Sequence, residues 1–323
     1  MAYLRALGCY LPARIVDNAE MGAMTRTEPA WIAQATGIHQ RRFAAPGETV
    51  ADLGLRAAQD CLDAAGVDAS GVGLAMVASG SGERRFPGPA TAIAAALGMT
   101  GAPAIDLPMA SAGSLFGLAL AAGLCREYGN VLVIGSEIMS RVVRLEPDFR
   151  DTAILFGDGA GACLVSAETG FAEIVDSILR SDGTLADTLS LELDGPLHMD
   201  GRSIILQASR KLPRTIMELL DRYRMKPDDI GAYILHQANL NLIERVARAV
   251  GAPENRFFHN LESYGNTSSA SLLIAATEWR RATGPELTSH AILAAFGAGL
   301  NWGAMLLGPP GGRLSKNREA IAP

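Results

Sequence analysis

Three polar residues in this chain of 323 stand where a side chain can meet a ligand. Ser111 lies in Met109-Ala110-Ser111-Ala112-Gly113, just where a long apolar helix should begin. A helix start offers unpaired N–H groups and the positive end of its dipole, which stabilise an attacking anion or an oxyanion. The plain alternative for Ser111 is a helix N-cap. It is not the G-x-S-x-G turn of lipase-type hydrolases, since position 109 is methionine. His236 closes the apolar run AYIL and opens HQANLNLIERVARAVG, which reads as a helix. A histidine at a strand end facing a loop is a candidate acid–base group or hydrogen-bond donor, or else an ordinary structural histidine. Asn266, in SYGNTSSAS, also precedes a helix and doubles as a turn or cap residue.

Two glycine-rich segments invite a ligand reading. GDGAGAC, residues 157 to 163, is followed by the strand-like LVSAE rather than by a long helix. That context is wrong for a dinucleotide loop, and a tight glycine turn is expected. FGAGLNWGA, residues 296 to 304, reads as a turn between strands whose N–H groups can serve an oxyanion. Basic groups at Arg84 and Arg85, at Arg210, Lys211 and Arg214, and at Arg245 and Arg248 are ordinary solvated surface or an attractor for an acidic or phosphorylated ligand.

The elements that must position these residues show an internal repeat. CLDAAGVDASGVGLAMVASG from Cys61 aligns without a gap on LLDRYRMKPDDIGAYILHQA from Leu219, an offset of 158 between Asp63 and Asp221. ASAGSLFGLALAA around Ser111 faces TSSASLLIAATEW around Ser269 at the same offset of 158. VLVIGS from Val131 faces AILAAFG from Ala291 at 160. Each copy runs helix, polar turn, strand, then a helix opened by small residues. Two similar α/β halves joined near residue 170 follow, with layered sheets covered by helices and a buried helix between two sheets. This pseudo-symmetry brings Ser111, Asn266 and His236 toward one central site.

Composition narrows the class. With 49% hydrophobic and 19% charged residues the chain is globular and large enough to need no disulfides. A net charge of −6 argues against general nucleic-acid binding. The four cysteines, Cys9, Cys61, Cys125 and Cys163, lack metal-finger spacing and read as small buried apolar residues of a reduced, cytoplasmic chain. Residues 107 to 125 carry no charge but contain glycines, serines and Pro108, so they read as a buried helix rather than a membrane span. The N-terminus is too polar for a signal peptide.

Together these segments resemble the ketoacyl-acyl-carrier-protein synthase III family of the thiolase superfamily. The resemblance is carried by Trp31 with TGIHQRR, ETVADLG, Phe86-Pro87, ASAG, FGDGAGA, HQAN, GNTSSAS and FGAGLNWG. It implies a five-layered α/β/α/β/α fold of two related halves. Residues 1–170 would carry the nucleophile position, and residues 171–323 the histidine and asparagine. It also implies a cytoplasmic homodimer with no metal and no permanently bound cofactor. In that family an acyl group moves from coenzyme A to a cysteine, then condenses with malonyl carried on acyl carrier protein. His236 and Asn266 fall on the decarboxylation pair, and the amides of Ser111 and Ala298 on the oxyanion hole. Trp31 matches the aromatic that stacks on adenine and Arg150 a nucleotide-contacting arginine. Gly201 falls on a substrate-binding position, and Phe86 on the residue that reaches the partner subunit's acyl pocket.

The chain departs from the family at several places. Serine stands at 111 instead of the nucleophilic cysteine, and a hydroxyl needs a general base where a thiol supplies its own thiolate. The arginine that faces the tryptophan across adenine reads Ala35, and two basic carrier-docking positions read Leu206 and Asn241. Ser111 is then either the native residue of a condensing enzyme or serine acyltransferase of polyketide type, or a replacement of cysteine. A non-catalytic paralogue that binds acyl thioesters, and a serine hydrolase using Ser111 and His236, are the remaining alternatives.

Overall fold

The computed structural model describes residues 1–192, 195–312 and 314–317. Its first half runs β1 (Tyr3–Tyr10), β2 (Arg14–Asp17), α1 (Asn18–Thr25), α2 (Pro29–Thr36), β3 (Gln40–Phe43), α3 (Val50–Ala65) and β4 (Leu74–Ala78). It continues with α4 (Pro89–Ala96), β5 (Ala104–Leu107), α5 (Gly113–Tyr128), β6 (Asn130–Ile138), α6 (Arg150–Ala153) and β7 (Asp158–Ser166). The second half holds β8 (Ala172–Ser181), β9 (Leu189–Leu191), β10 (Leu197–Met199), α7 (Gly201–Asp221), β11 (Ile230–Leu235) and α8 (Leu240–Val250). It ends with β12 (Phe257–Phe258), α9 (Leu261–Tyr264), α10 (Ser271–Thr283), β13 (His290–Gly297) and β14 (Asn301–Gly308).

The strand order is β12-β11-β13-β14-β8-β1-β7-β6-β4-β5. Read from either edge, equivalent elements appear in the same sequence, and the two sets of five meet at β8 and β1. That junction is thin, consisting of Tyr3 opposite Glu173 and Leu4 opposite Ala172. The repeat seen in the sequence has a structural counterpart in each element. Helix α5 starts at Gly113 and α10 at Ser271, while the 3-10 turns before β4 and β11 start at Ala69 and Pro227.

Helices α5 and α10 pack between the two sets of strands, α3 and α4 cover the outer face of one, and α7 and α8 the outer face of the other. The result is a five-layered mixed α/β fold. The central layer explains the uncharged segment from 107 to 125. Helix α5 buries Leu115, Gly117, Leu118, Ala121 and Cys125 against strands of both halves. α10 is buried almost all round from Ser271 to Thr277. A helix surrounded by protein, as α10 is, has no polar face to keep, whereas α5 buries one side and leaves Leu120 exposed on the other. Among the described residues no helix is long and apolar enough to cross a membrane.

Two expectations are corrected. Residues Asp158 to Cys163 form the start of β7 rather than a turn. The glycines serve close approach: a Cβ at Gly161 would lie 2.6 Å from Leu273 Cβ and 2.9 Å from the Ile274 backbone nitrogen of α10. Cys9 is half-buried rather than buried, with Arg281 at its sulfur, whereas Cys61, Cys125 and Cys163 are core residues.

Candidate active site

Ser111 is set by backbone geometry rather than by capping. It has φ of 60°, in the left-handed region, and the Ala112 N–H donates to Ala110 O at 2.7 Å. Helix α5 begins two residues later, with Ala112 as its N-cap. The N-cap reading of Ser111 is therefore wrong: its side chain leaves the chain at a sharp bend. The bend is possible because Gly297, at the end of β13, lies against it. A Cβ there would come within 2.6 Å of Ala110 O and 2.8 Å of Ser111 Cβ. Among the described residues no hydrogen bond engages Ser111 Oγ. Its backbone N–H, however, donates to Ser268 Oγ at 3.0 Å. The expected oxyanion donor thus has a hydroxyl partner in this state.

His236 follows β11 directly, with its backbone N–H held by Ala294 O at 2.8 Å. The side chain is buried, with Nδ1 2.5 Å from Ser271 Oγ. Burial pushes its pKa down to about 4, so the ring is neutral at pH 7. Asn266 is fixed from three sides. Its N–H donates to Leu155 O at 2.8 Å, its C=O accepts from Gly157 N–H at 3.1 Å, and its Oδ1 accepts from Ser268 N–H at 2.9 Å. With Oδ1 occupied, the side chain offers its Nδ2 donors to whatever enters.

These three residues share one pocket with about 760 Å³ of empty space, part of it open to solvent. Its remaining wall is mostly apolar, including Leu155, Phe156, Met199, Ile205, Leu242 and Phe296, and Gly201 lines it as well. Among the described residues no aspartate or glutamate lines it, and no group of three or more His, Cys, Asp or Glu is placed to hold a metal. Ala298 and Phe86 line a second, wider cavity with Arg84, Arg85, Arg141 and Arg144. Ala110 also lines that cavity, so the Ser111 bend separates the two. Phe86 is 86% exposed.

Trp31 and Arg150 stand together and are not among the residues lining the Ser111 pocket, the guanidinium 5.9 Å from the indole centroid. The cation facing the tryptophan is therefore Arg150 itself, and position 35 has another role. The Ala35 carbonyl accepts from Asn239 Nδ2 and Asn241 Nδ2, both at 3.0 Å, which ties α2 to the start of α8.

Four further residues shape the site and went unread in the sequence. Ser268 and Ser271 were visible as part of GNTSSAS but not singled out. Glu137, fully buried, accepts from Gly80 N–H at 3.0 Å, Ser81 Oγ at 2.5 Å and Ser269 N–H at 3.3 Å, joining the loops of both halves. Arg41, also fully buried, donates to Asn18 Oδ1 at 2.8 Å and Ile154 O at 2.9 Å, which anchors the segment leading to Leu155. Burial pushes its guanidinium down to about 10.

Residues 105–183 match the family described as 3-oxoacyl-[acyl-carrier-protein (ACP)] synthase III, and residues 220–308 match its C-terminal part. The β-ketoacyl-[acyl-carrier-protein] synthase III of Oleidesulfovibrio alaskensis is 37% identical, over 95% of this chain and 98% of that protein. Synthase III 1 of Vibrio vulnificus strain YJ016 is also 37% identical, over 93% and 97%. The crystal structure of 3-oxoacyl-[acyl-carrier-protein] synthase III from Aquifex aeolicus superposes with a TM-score of 0.91 at 32% identity, covering 95% of this chain and all of that one. The priming β-ketosynthase of the R1128 polyketide pathway superposes with a TM-score of 0.86 at 30% identity, covering 96% and 97%. With relatives this similar along nearly their whole length, and the same two-fold layered fold, the chain belongs to the β-ketoacyl-acyl-carrier-protein synthase III family of condensing acyltransferases.

Proposed function

We propose that this chain condenses an acyl group, delivered by coenzyme A, with a malonyl thioester, and that Ser111 marks the position where the acyl group is held. The observation that carries this reading is the convergence of Ser111, His236 and Asn266 on one apolar pocket. Loss of carbon dioxide from malonyl leaves the electron pair of the broken C–C bond on the α-carbon and thioester oxygen. Neutral His236 and the Asn266 amide then supply donors to that enolate oxygen. The Trp31–Arg150 pair suits an adenine ring, since both an aromatic face and a guanidinium plane stack on one. An acyl carrier protein is the expected malonyl carrier. Leu206 is 45% exposed and Asn241 is bonded to α2, so docking at those two places lacks positive charge. The reading includes a cytoplasmic homodimer. Phe86, Ile105 on the edge strand β5 and Leu120 on α5 are large apolar residues left exposed, as an unformed subunit interface would leave them.

Serine at 111 favours a second reading, transfer of the acyl group to an oxygen, nitrogen or thiol acceptor without condensation. Hydrolysis by a triad is disfavoured, because His236 Nδ1 faces a serine and not a carboxylate. Intact-protein mass spectrometry after incubation with short, branched and dicarboxylic acyl-CoAs tests the proposal. An acyl mass is expected on cysteine in Ser111→Cys, and on Ser111 itself only more slowly, since a hydroxyl is a weaker nucleophile than a thiolate. Absence of any adduct on Ser111, and on cysteine in Ser111→Cys, with both proteins folded, would overturn it.

A further inference from the structure

Ser271 meets His236 at Nδ1 and is not among the residues that line the pocket. Its Oγ lies 2.5 Å from His236 Nδ1 and 3.1 Å from the backbone nitrogen of Gln237. A backbone N–H only donates, so it occupies a lone pair of Oγ. The hydroxyl has one proton, and among the described residues Nδ1 is the partner left to receive it. The opposite arrangement, with Nδ1 protonated, would leave that proton without an acceptor at a residue that is 2% exposed.

We infer that Ser271 is a positioning residue: its hydroxyl donates to His236 Nδ1 and thereby holds the neutral imidazole with its proton on Nε2. Among the described residues Nε2 has no partner, and His236 lines the pocket beside Ser111 and Asn266. His236 is then a standing donor to an oxygen in that pocket. Its only basic lone pair is committed to Ser271, so it is not set to take the proton of Ser111. The same serine that prepares the site for an enolate withholds a base from the nucleophile position.

The inference extends the function proposed above to one more residue, but the proton's position can be measured without any turnover. Protein labelled with ¹⁵N-histidine is observed by long-range ¹H–¹⁵N correlation at pH 7, and His236 among the five histidines is identified by its loss in His236→Ala. A pyridine-like Nδ1 and a pyrrole-like Nε2 are expected. The reverse pattern, or averaging between the two, overturns the inference. Ser271→Thr keeps the hydroxyl and should keep both the pattern and malonyl decarboxylation. Ser271→Ala should average the tautomers and lower decarboxylation about tenfold, the smaller end of the loss when a partner that fixes a histidine tautomer is removed. Acyl loading should not fall, because the averaged ring loses a donor that the enolate needs and gains an Nε2 lone pair toward Ser111. In a His236→Ala background the same change should cost nothing further, and an undiminished tenfold loss there would refute action through His236. Should Ser271→Ala not fold, the wild-type spectrum and the Thr variant decide. A protein with the expected tautomer but no acyl or malonyl chemistry would remove the proposed function and leave the tautomer assignment standing.

Discussion

At residue 111 the difference between oxygen and sulfur decides the chemistry. Cysteine supplies some thiolate near neutral pH, and a helix start increases that fraction. Serine needs a base, and the neutral ring of His236 is bonded on its Nδ1 side to Ser271. Ser111→Cys should therefore load acyl groups from coenzyme A faster and gain or greatly increase condensation, measured by adduct mass and by radiolabelled malonyl incorporation. His236→Ala and Asn266→Ala should each slow malonyl decarboxylation by about 10²–10³-fold while loading falls much less. In a Ser111→Cys background both steps can be followed, and equal losses in the two assays would contradict the division of roles. His236 also gives a pH signature. Its folded pKa of about 4 lies below the ordinary value of 6.5, so between these pH values the unfolded chain binds more protons. Stability is undiminished above about pH 6.5 and falls as pH drops toward 4, by an amount on the order of 3 kcal/mol from this group. Urea unfolding at pH 7 and pH 5 should show a smaller pH effect in His236→Ala than in wild type.

Among the elements, the end of β13 and the start of α5 have to touch. Gly297→Ala would drive a Cβ to 2.8 Å from the Ala112 backbone nitrogen as well as against Ala110 O. Backbone cannot swing aside as a long side chain can, so the bend at Ser111 must shift. Acyl loading should drop at least about 10²-fold, the cost of displacing a reacting group by an ångström or so, while far-ultraviolet circular dichroism stays native. Much of this arrangement was legible in the sequence. The offset of 158 shows because helix, 3-10 turn and strand keep their hydrophobic periods in both copies. Ser111, His236 and Asn266 could be picked out because each stands just before a helix, and His236 also ends an apolar run. The strand at DGAGAC was missed because local chemistry gives glycine-rich strings to turns, whereas here contact with α10, over a hundred residues away, requires them. Arg41 and Glu137 were missed for the same reason. Arg41 meets Ile154 across 113 residues and Glu137 meets Ser269 across 132, and no local pattern encodes such partners. Ser271 sat in plain view, but only its distance to Nδ1 distinguishes it from the neighbouring serines.

For the whole molecule, the unfinished edge is β5. It is four residues long, ends the sheet, and carries Ile105 at 43% exposure. An edge strand with an exposed apolar side chain is a template for another strand. Light scattering on a sizing column should give the mass of two chains at micromolar concentration. Phe86→Arg combined with Ile105→Lys should shift that to one, while a wild-type monomer with full acyl loading would count against the dimer.

The thin junction between β1 and β8 has a consequence for how the chain can be cut. Only two residue pairs join the strand sets there, yet α5 and α10 each pack against strands of both. Cohesion thus resides in the shared middle layer, and the peptide near residue 170 contributes little to it. Fragments 1–168 and 169–323, made separately, should each expose one apolar central helix and precipitate or stay unfolded. Produced in the same cell they should find each other and reconstitute the pocket, since one fragment brings Ser111 and the other His236 and Asn266. A molecule that tolerates a broken backbone but not a missing half behaves as a covalently tethered heterodimer.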